Sequence, residues 1–430
     1  MSVDREHHGK GAMAASSQST THARNHDSIQ TFYRQVDSLD AATKRAVFAT
    51  ITPRIEAIKS AEHAAIANKP LSGLTCVLKD NFDLAGYPTN ASSVFLETVR
   101  PGPHADGPLV QTIKAKGLAI LGKTQMNEFA YGLDGANPHC GNCPHPGDSQ
   151  LVSGGSSSGS AWAVAKGFAD IGFGTDTGGS IRVPSAFCGL YGLRLPPNEW
   201  ARKGCITLAP SFDTVGWMTK KLSTLAQASL ALLDLVPSNE SKPLSVIAIG
   251  PMSDTTLKGI GDQFNGCIDA RHERHQLFAP QVSKAFSVLQ SIEAYALHRP
   301  WIRNHRKQYD PAVLRRILRA EAWTSEEISE AHAVRQSICQ DLEEMFQHCD
   351  IALLPVTESP TPKQTMTEVQ REELLRQTAP ASLAGLPVLT IPLPSSASTT
   401  IGIQCLMPTS RWRQILPSLF QLLTTTTQDD

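Results

Sequence analysis

A strand–helix–strand signal early in the chain restricts its fold more than any other feature. "LTCVLKD" (Leu74 to Asp80) is a short apolar run ending in charge, which fits a buried strand. "PLVQTIKAKG" (Pro108 to Gly117) follows, with proline near a helix start and glycine at its end. "LAILG" (Leu118 to Gly122) then reads as a second strand. Strand, helix and strand at this spacing form a crossover unit of a parallel sheet. The pattern continues downstream. "SAWAVAK" (Ser160 to Lys166) is a short apolar helix closed by Gly167, and "FADIGFGTD" (Phe168 to Asp176) is the strand behind it.

Further strands are expected at "LSVIAIG" (Leu244 to Gly250), "DIALLPV" (Asp350 to Val356), "PVLTIPL" (Pro387 to Leu393) and "IGIQCLM" (Ile401 to Met407). Helical spacing of Ile29, Phe32, Tyr33, Val36, Val47, Ile51, Ile55 and Ile58 predicts helices from Asp27 to Lys69. The stretch from Ser253 to Gln347 reads as mostly helical and charged, a cap on the sheet. Neither a repeat nor a linker divides the chain. With 430 residues, 41% of them hydrophobic, one large α/β domain is the economical reading. Residues 1–27 are polar and read as a disordered tail, and residues 28–425 as the folded domain. Four scattered histidines in that tail, His7, His8, His22 and His26, lack cysteine or acidic partners and do not make a metal site.

A formal net charge of -1 gives no general attraction to nucleic acid or to acidic membranes. No run of 18 apolar residues is present to span a bilayer. Nine scattered cysteines, an odd number, do not form a disulfide framework and point to a reducing, cytoplasmic setting.

The run "VSGGSSSGSAW" (Val152 to Trp162) has three readings. A flexible linker would stay polar on one side, yet Ala161 to Val164 is apolar and feeds a helix. A phosphate loop would pair its glycines with a lysine, and none follows Gly159. A nucleophile site remains. Gly155-Ser156-Ser157-Ser158-Gly159 fits the Gly-x-Ser-x-Gly elbow with Ser157 as nucleophile. That elbow needs a strand upstream, where "HPGDSQLV" is loop-like, and it leaves the second Gly-Gly-Ser (Gly178 to Ser180) unexplained.

Both runs are explained together by "GGSSSGSAWAVAKGFADIGFGTDTGGSIRVPSAFCGLYGL", which strongly resembles the signature of the amidase signature family. The resemblance takes in "KDNFDLAGYPT", "GKTQMNEFAYG", "SFDTVGWM" and "SLAGLPVLTIP". It runs from about Leu71 to Met407 and is densest between Lys79 and Met218. Compact length and "SFDTVGW" look most like the short amidases that include plant indole-acetamide hydrolases.

The resemblance implies a twisted mixed β-sheet covered on both faces by α-helices. It implies Ser180 as nucleophile, Ser156 as a bridging serine after a cis peptide, and Lys79 as base. Amide hydrolysis needs such an activated nucleophile, a proton carrier and donors for an oxyanion. The backbone amides of Thr177, Gly178, Gly179 and Ser180 are the expected oxyanion donors. Ser157, Ser158, Asp176 and Arg182 are expected to support the loops. Lys79 should be neutral in an apolar strand, with Asp80 facing away from it. The substrate would be a small carboxylic amide, with apolar or arylacetic acyl groups preferred. No metal, organic cofactor or nucleic acid is implied, and at most a homodimer. The alternative is the glutaminase subunit of a tRNA-dependent amidotransferase, which works with partner chains.

Two other motifs read as structural. Cys140 and Cys143 in "HCGNCPH" have metal-ligand spacing but no second pair. The basic run from Arg299 to Arg319 meets Glu321, Glu326, Glu327 and Glu330 and reads as a solvated, self-paired helical face. Pocket walls are expected from Ser253 to Arg319.

Overall fold

The computed structural model of the chain describes residues 26–236, 243–264, 266, 268, 270–357, 359, 361–394 and 400–426. Eleven strands form one mixed sheet in the order β1-β3-β2-β4-β6-β5-β10-β11-β9-β7-β8. They are β1 (Phe48–Ile51), β2 (Thr75–Lys79), β3 (Ala119–Thr124), β4 (Ile171–Asp176), β5 (Tyr191–Arg194), β6 (Thr214–Thr219), β7 (Val246–Ile249), β8 (Ala270–His272), β9 (Ile351–Pro355), β10 (Val388–Pro394) and β11 (Thr400–Leu406).

The expected crossover is present. β2 and β3 pair in parallel, joined through the helix Pro108–Lys116, which Gly117 ends in a left-handed conformation. β4 lies parallel on the other side of β2. Alternate residues leave the sheet on opposite faces. Val77, Ala119 and Leu121 pack with Phe32, Val47, Ala61 and Trp162, while Cys76, Leu78 and Ile120 join Leu109, Ile113 and Phe173. Both faces are therefore buried, as a parallel βαβ core requires.

Four strands depart from expectation. β1 lies in a stretch whose spacing reads as helical, because Val47 and Ile51 fall four apart. Antiparallel pairing with β3 overrides that local signal. β5, β6 and β8 have at most six residues and, for β5 and β6, a central glycine, so no period marks them. Of the tail expected over residues 1–27, residues 1–25 lie outside the described residues, and a helix already covers 26–38. Between Ser253 and Gln347 the chain is mostly helical, with β8 the exception, as read. Among the described residues no helix is long and apolar enough to cross a membrane.

Candidate active site

β2 ends at Lys79 and β4 at Asp176, two neighbouring parallel strands whose C-terminal ends point the same way. That edge is where α/β sheets gather ligands. Lys79 is fully buried. Its Nζ lies 2.7 Å from Ser156 Oγ, 2.8 Å from Thr175 Oγ1 and 3.4 Å from the Thr175 carbonyl. None of these is an anion. Burial lowers the Lys79 pKa to about 7, against the opposing pull of Asp176 and Asp213. Asp80, the adjacent residue, turns instead to Lys123, 3.1 Å away, and also accepts from the Ser92 amide.

Ser156 follows a cis Gly155–Ser156 peptide just before the helix Ser158–Ala165. Gly155 has no room for a side chain. An added Cβ would sit 2.1 Å from Asn127 Oδ1. Ser157 caps the loop differently from an elbow nucleophile. Its Oγ donates to the Thr175 carbonyl at 3.2 Å, and the residues before it form only isolated bridges at Leu151 and Val152. Ser158 reaches the neighbouring loop through sulfur. Its buried hydroxyl meets no nitrogen or oxygen partner, only the Cys143 thiol.

Asp176 organises the second Gly-Gly-Ser turn. Its carboxylate accepts from the amides of Gly179 (2.8 Å) and Ile181 (3.0 Å) and from Arg182 Nε and Nη2 (3.1 and 2.9 Å). Arg194 adds a further buried contact at 3.3 Å. Burial alone would raise the Asp176 pKa, but the two guanidiniums overcome it and hold the carboxyl well below the usual carboxylate range. Arg182 also reaches the Thr378 carbonyl, Gln404 and Ser382, tying the turn to the helix Glu368–Leu383 and to β11.

Of the four amides expected to face a developing oxyanion, three are free. Those of Thr177, Gly178 and Ser180 meet no acceptor among the described residues. The Gly179 amide differs from expectation, because the carboxylate that shapes the turn holds it. Thr378 Oγ1 donates to the Gly178 carbonyl at 2.7 Å. Thr177 Oγ1 donates to Asp213 at 2.6 Å, and Asp213 accepts from Leu208 and Ala209 amides. Burial nevertheless raises the Asp213 carboxyl pKa to about 6.

Ser180, Thr177 and Gly178 line a small cleft. Tyr131, Phe286, Gln290, Arg371 and Leu375 line the same cleft. Phe286 and Gln290 come from the expected segment, on the helix Pro280–His305, but Tyr131, Arg371 and Leu375 lie outside it. Helix packing, not a motif, brings them in. Ser180 Oγ bonds neither Ser156 nor Lys79 here. Thr175, Asn81 and Asp213 belong to the site without having been singled out, although Asn81 and Asp213 stand inside "KDNFDLAGYPT" and "SFDTVGWM".

The two structural motifs divide. His145 accepts from the amides of Gly147 and Asp148 through Nδ1, so its Nε2 donates to the Phe187 carbonyl. Burial pushes the Cys140 and Cys143 thiols up to about 12. The basic run is less self-paired than read. Arg316 and Arg319 pair with Glu368, not with the nearby glutamates.

The sheet, buried on both faces, is of the α/β class, and the comparisons with known proteins make the chain an amide-hydrolysing enzyme. The chain belongs to the amidase (amidase signature) family, whose pattern matches residues 27–256 and 270–415. It is 32% identical over 354 residues to amidase 1 of Oryza sativa subsp. japonica, covering 74% of this chain and 81% of that protein. It is 31% identical over 394 residues to a glutamyl-tRNA(Gln) amidotransferase subunit of Methanospirillum hungatei, covering 78% and 88%. The fold is shared with a crystal structure of an amidase, with a TM-score of 0.80, 24% identity and coverage of 95% and 98%. It is shared too with 6-aminohexanoate cyclic dimer hydrolase, with a TM-score of 0.77, 18% identity and coverage of 93% of each chain.

Proposed function

We propose that the chain hydrolyses a small carboxylic amide through an acyl-enzyme on Ser180. Ser180 Oγ attacks the carbonyl carbon while its proton passes to Ser156 Oγ, and the Ser156 proton passes to neutral Lys79 Nζ. The oxyanion gathers the Thr177, Gly178 and Ser180 amides. Lys79, now an ammonium, returns a proton through Ser156 to the leaving nitrogen as the C–N bond breaks. Water then attacks the acyl carbon, gives its proton to the same relay, and releases the acid with Ser180 restored. The observation that carries this reading is a fully buried Lys79, without a carboxylate partner, 2.7 Å from Ser156 Oγ. Supporting residues, on this reading, are Ser157, Asp176 and Arg182. The nine scattered cysteines favour work in the cytoplasm.

The test is ammonia release by the purified chain from a panel of aliphatic, arylacetic and amino-acid amides, with Ser180→Ala as control. Turnover that Ser180→Ala retains sinks the reading. The 31% identity to a tRNA-dependent amidotransferase component supports a second reading, in which the chain is a glutaminase working with partner chains. Glutamine as the sole substrate, turned over only with added partner chains, selects it.

A further inference from the structure

The cleft that Ser180 lines also contains a buried cation with no ion-pair partner among the described residues. Arg371 is 6% exposed and stands in the first turns of the helix Glu368–Leu383. Among the described residues no carboxylate lies within ion-pair distance of it, and no hydrogen bond leaves its side chain. Its Nε is buried without an acceptor. On the same helix, Glu368 is engaged by Arg316 at 3.4 Å and Arg319 at 3.3 Å, and Glu372 accepts from Ser283. Those two cations add to the positive field at Arg371 rather than neutralising it. Gln290, 4% exposed on the facing helix, has its Oε1 equally without a partner. Arg371 and Gln290 line the same cleft as Ser180, Thr177 and Gly178.

Two independent elements thus present unsatisfied polar groups to one small cleft. An unpaired buried guanidinium is costly to a fold, and an apolar residue in its place is cheaper. A guanidinium is also the group best matched to a carboxylate, through two parallel N–H···O bonds. Gln290 can turn its Nε2 to the same anion. We propose that Arg371 and Gln290 form a carboxylate subsite. The substrate is then an amide that carries a carboxylate within a few bonds of the scissile carbonyl. This rests on the amide-hydrolase reading of Ser180 and narrows its substrate class away from purely apolar acyl groups.

The test compares two charged amides with uncharged counterparts. Succinamate against butanamide places the carboxylate on the acyl side, and N-acetylglycine against N-ethylacetamide places it on the amine side. In one arm the charged substrate has a kcat/KM about 30-fold or more above its counterpart. Arg371→Gln brings that ratio to within about 3-fold of unity, and Arg371→Lys keeps part of it. Ratios near one in both arms for the unmodified chain, or a ratio that Arg371→Gln leaves intact, overturn the subsite. Succinate binding to Ser180→Ala, read by calorimetry, separates the two ideas. Binding that depends on Arg371 without any turnover keeps the subsite and sinks the hydrolase reading. Absence of both binding and turnover sinks both. Arg371→Met should fold with a thermal midpoint at or above that of the unmodified chain, since no internal ion pair is lost. A clear drop in midpoint assigns Arg371 to the fold and overturns the subsite.

Discussion

Lys79 Nζ lies 2.7 Å from Ser156 Oγ across 77 positions of sequence, and neither residue touches a carboxylate. Burial therefore dominates the charge state of the lysine. Its pKa near 7 places the neutral amine within reach of physiological pH. Activity should rise with pH through about 7 and then level off. Lys79→Arg should fold and be as inactive as Lys79→Ala, because a guanidinium does not shed its proton. A kcat/KM profile from pH 5 to 9 checks both. Substantial activity of Lys79→Arg at pH 8 rules out Lys79 as base.

The same shift has a consequence for stability. The folded pKa of Lys79 is depressed from 10.5 to about 7, so between those values the unfolded chain binds more protons. The Lys79 contribution to stability then rises with pH across that window and is least favourable below pH 7. Lys79→Met should be more stable than the unmodified chain at pH 6, by roughly 2 kcal/mol. The gap should close towards pH 10.5. Urea titrations at several pH values measure it.

The serines should separate in the size of their effects. Ser180→Ala removes the atom proposed to bond the acyl group, and kcat should fall roughly 10⁴-fold or more. Ser156→Ala removes a proton relay, for a loss of about 10²–10³-fold. Ser157→Ala removes one hydrogen bond to Thr175 and should cost least. If Ser157→Ala were inactive while Ser180→Ala kept near-normal rates, the elbow would be the correct site.

Asp213 acts on Lys79 through charge. It holds the lysine pKa up, and burial sets its own near 6. Asp213→Asn should move the acid limb of the pH profile to lower pH. Thr177→Val, which removes the 2.6 Å bond that holds the Asp213 carboxyl down, should raise the Asp213 pKa and move the limb in the same direction, by no more than Asp213→Asn. An unmoved limb in Asp213→Asn refutes the coupling.

Gly178 faces Phe286 so closely that a Cβ there would lie 2.7 Å from Phe286 Cζ. Gly178→Ala should displace the amide from the cleft and lower kcat roughly 10²-fold, the scale of one lost oxyanion donor. Phe286→Leu in the same chain should restore part of the rate. Steady-state kinetics on the single and double variants decide it.

The chain order by itself determined the crossover β2–helix–β3, because apolar runs, a helix-starting proline and a left-handed glycine are local signals. Resemblance to a family signature singled out Lys79, Ser156 and Ser180, the two serines within runs of small residues where a backbone can come close. Resemblance carried their roles further than spacing could. Short strands such as β1 and β5 stayed illegible, since pairing with a neighbour, not periodicity, makes them strands. Only the tertiary structure decided that Gly179 serves Asp176 while its neighbours line the cleft. It alone brought Arg371 and Gln290, 81 residues apart by their numbers, into the cleft that Ser180 lines. Helix packing sets that meeting, and helix packing depends on the whole core rather than on any local run of residues.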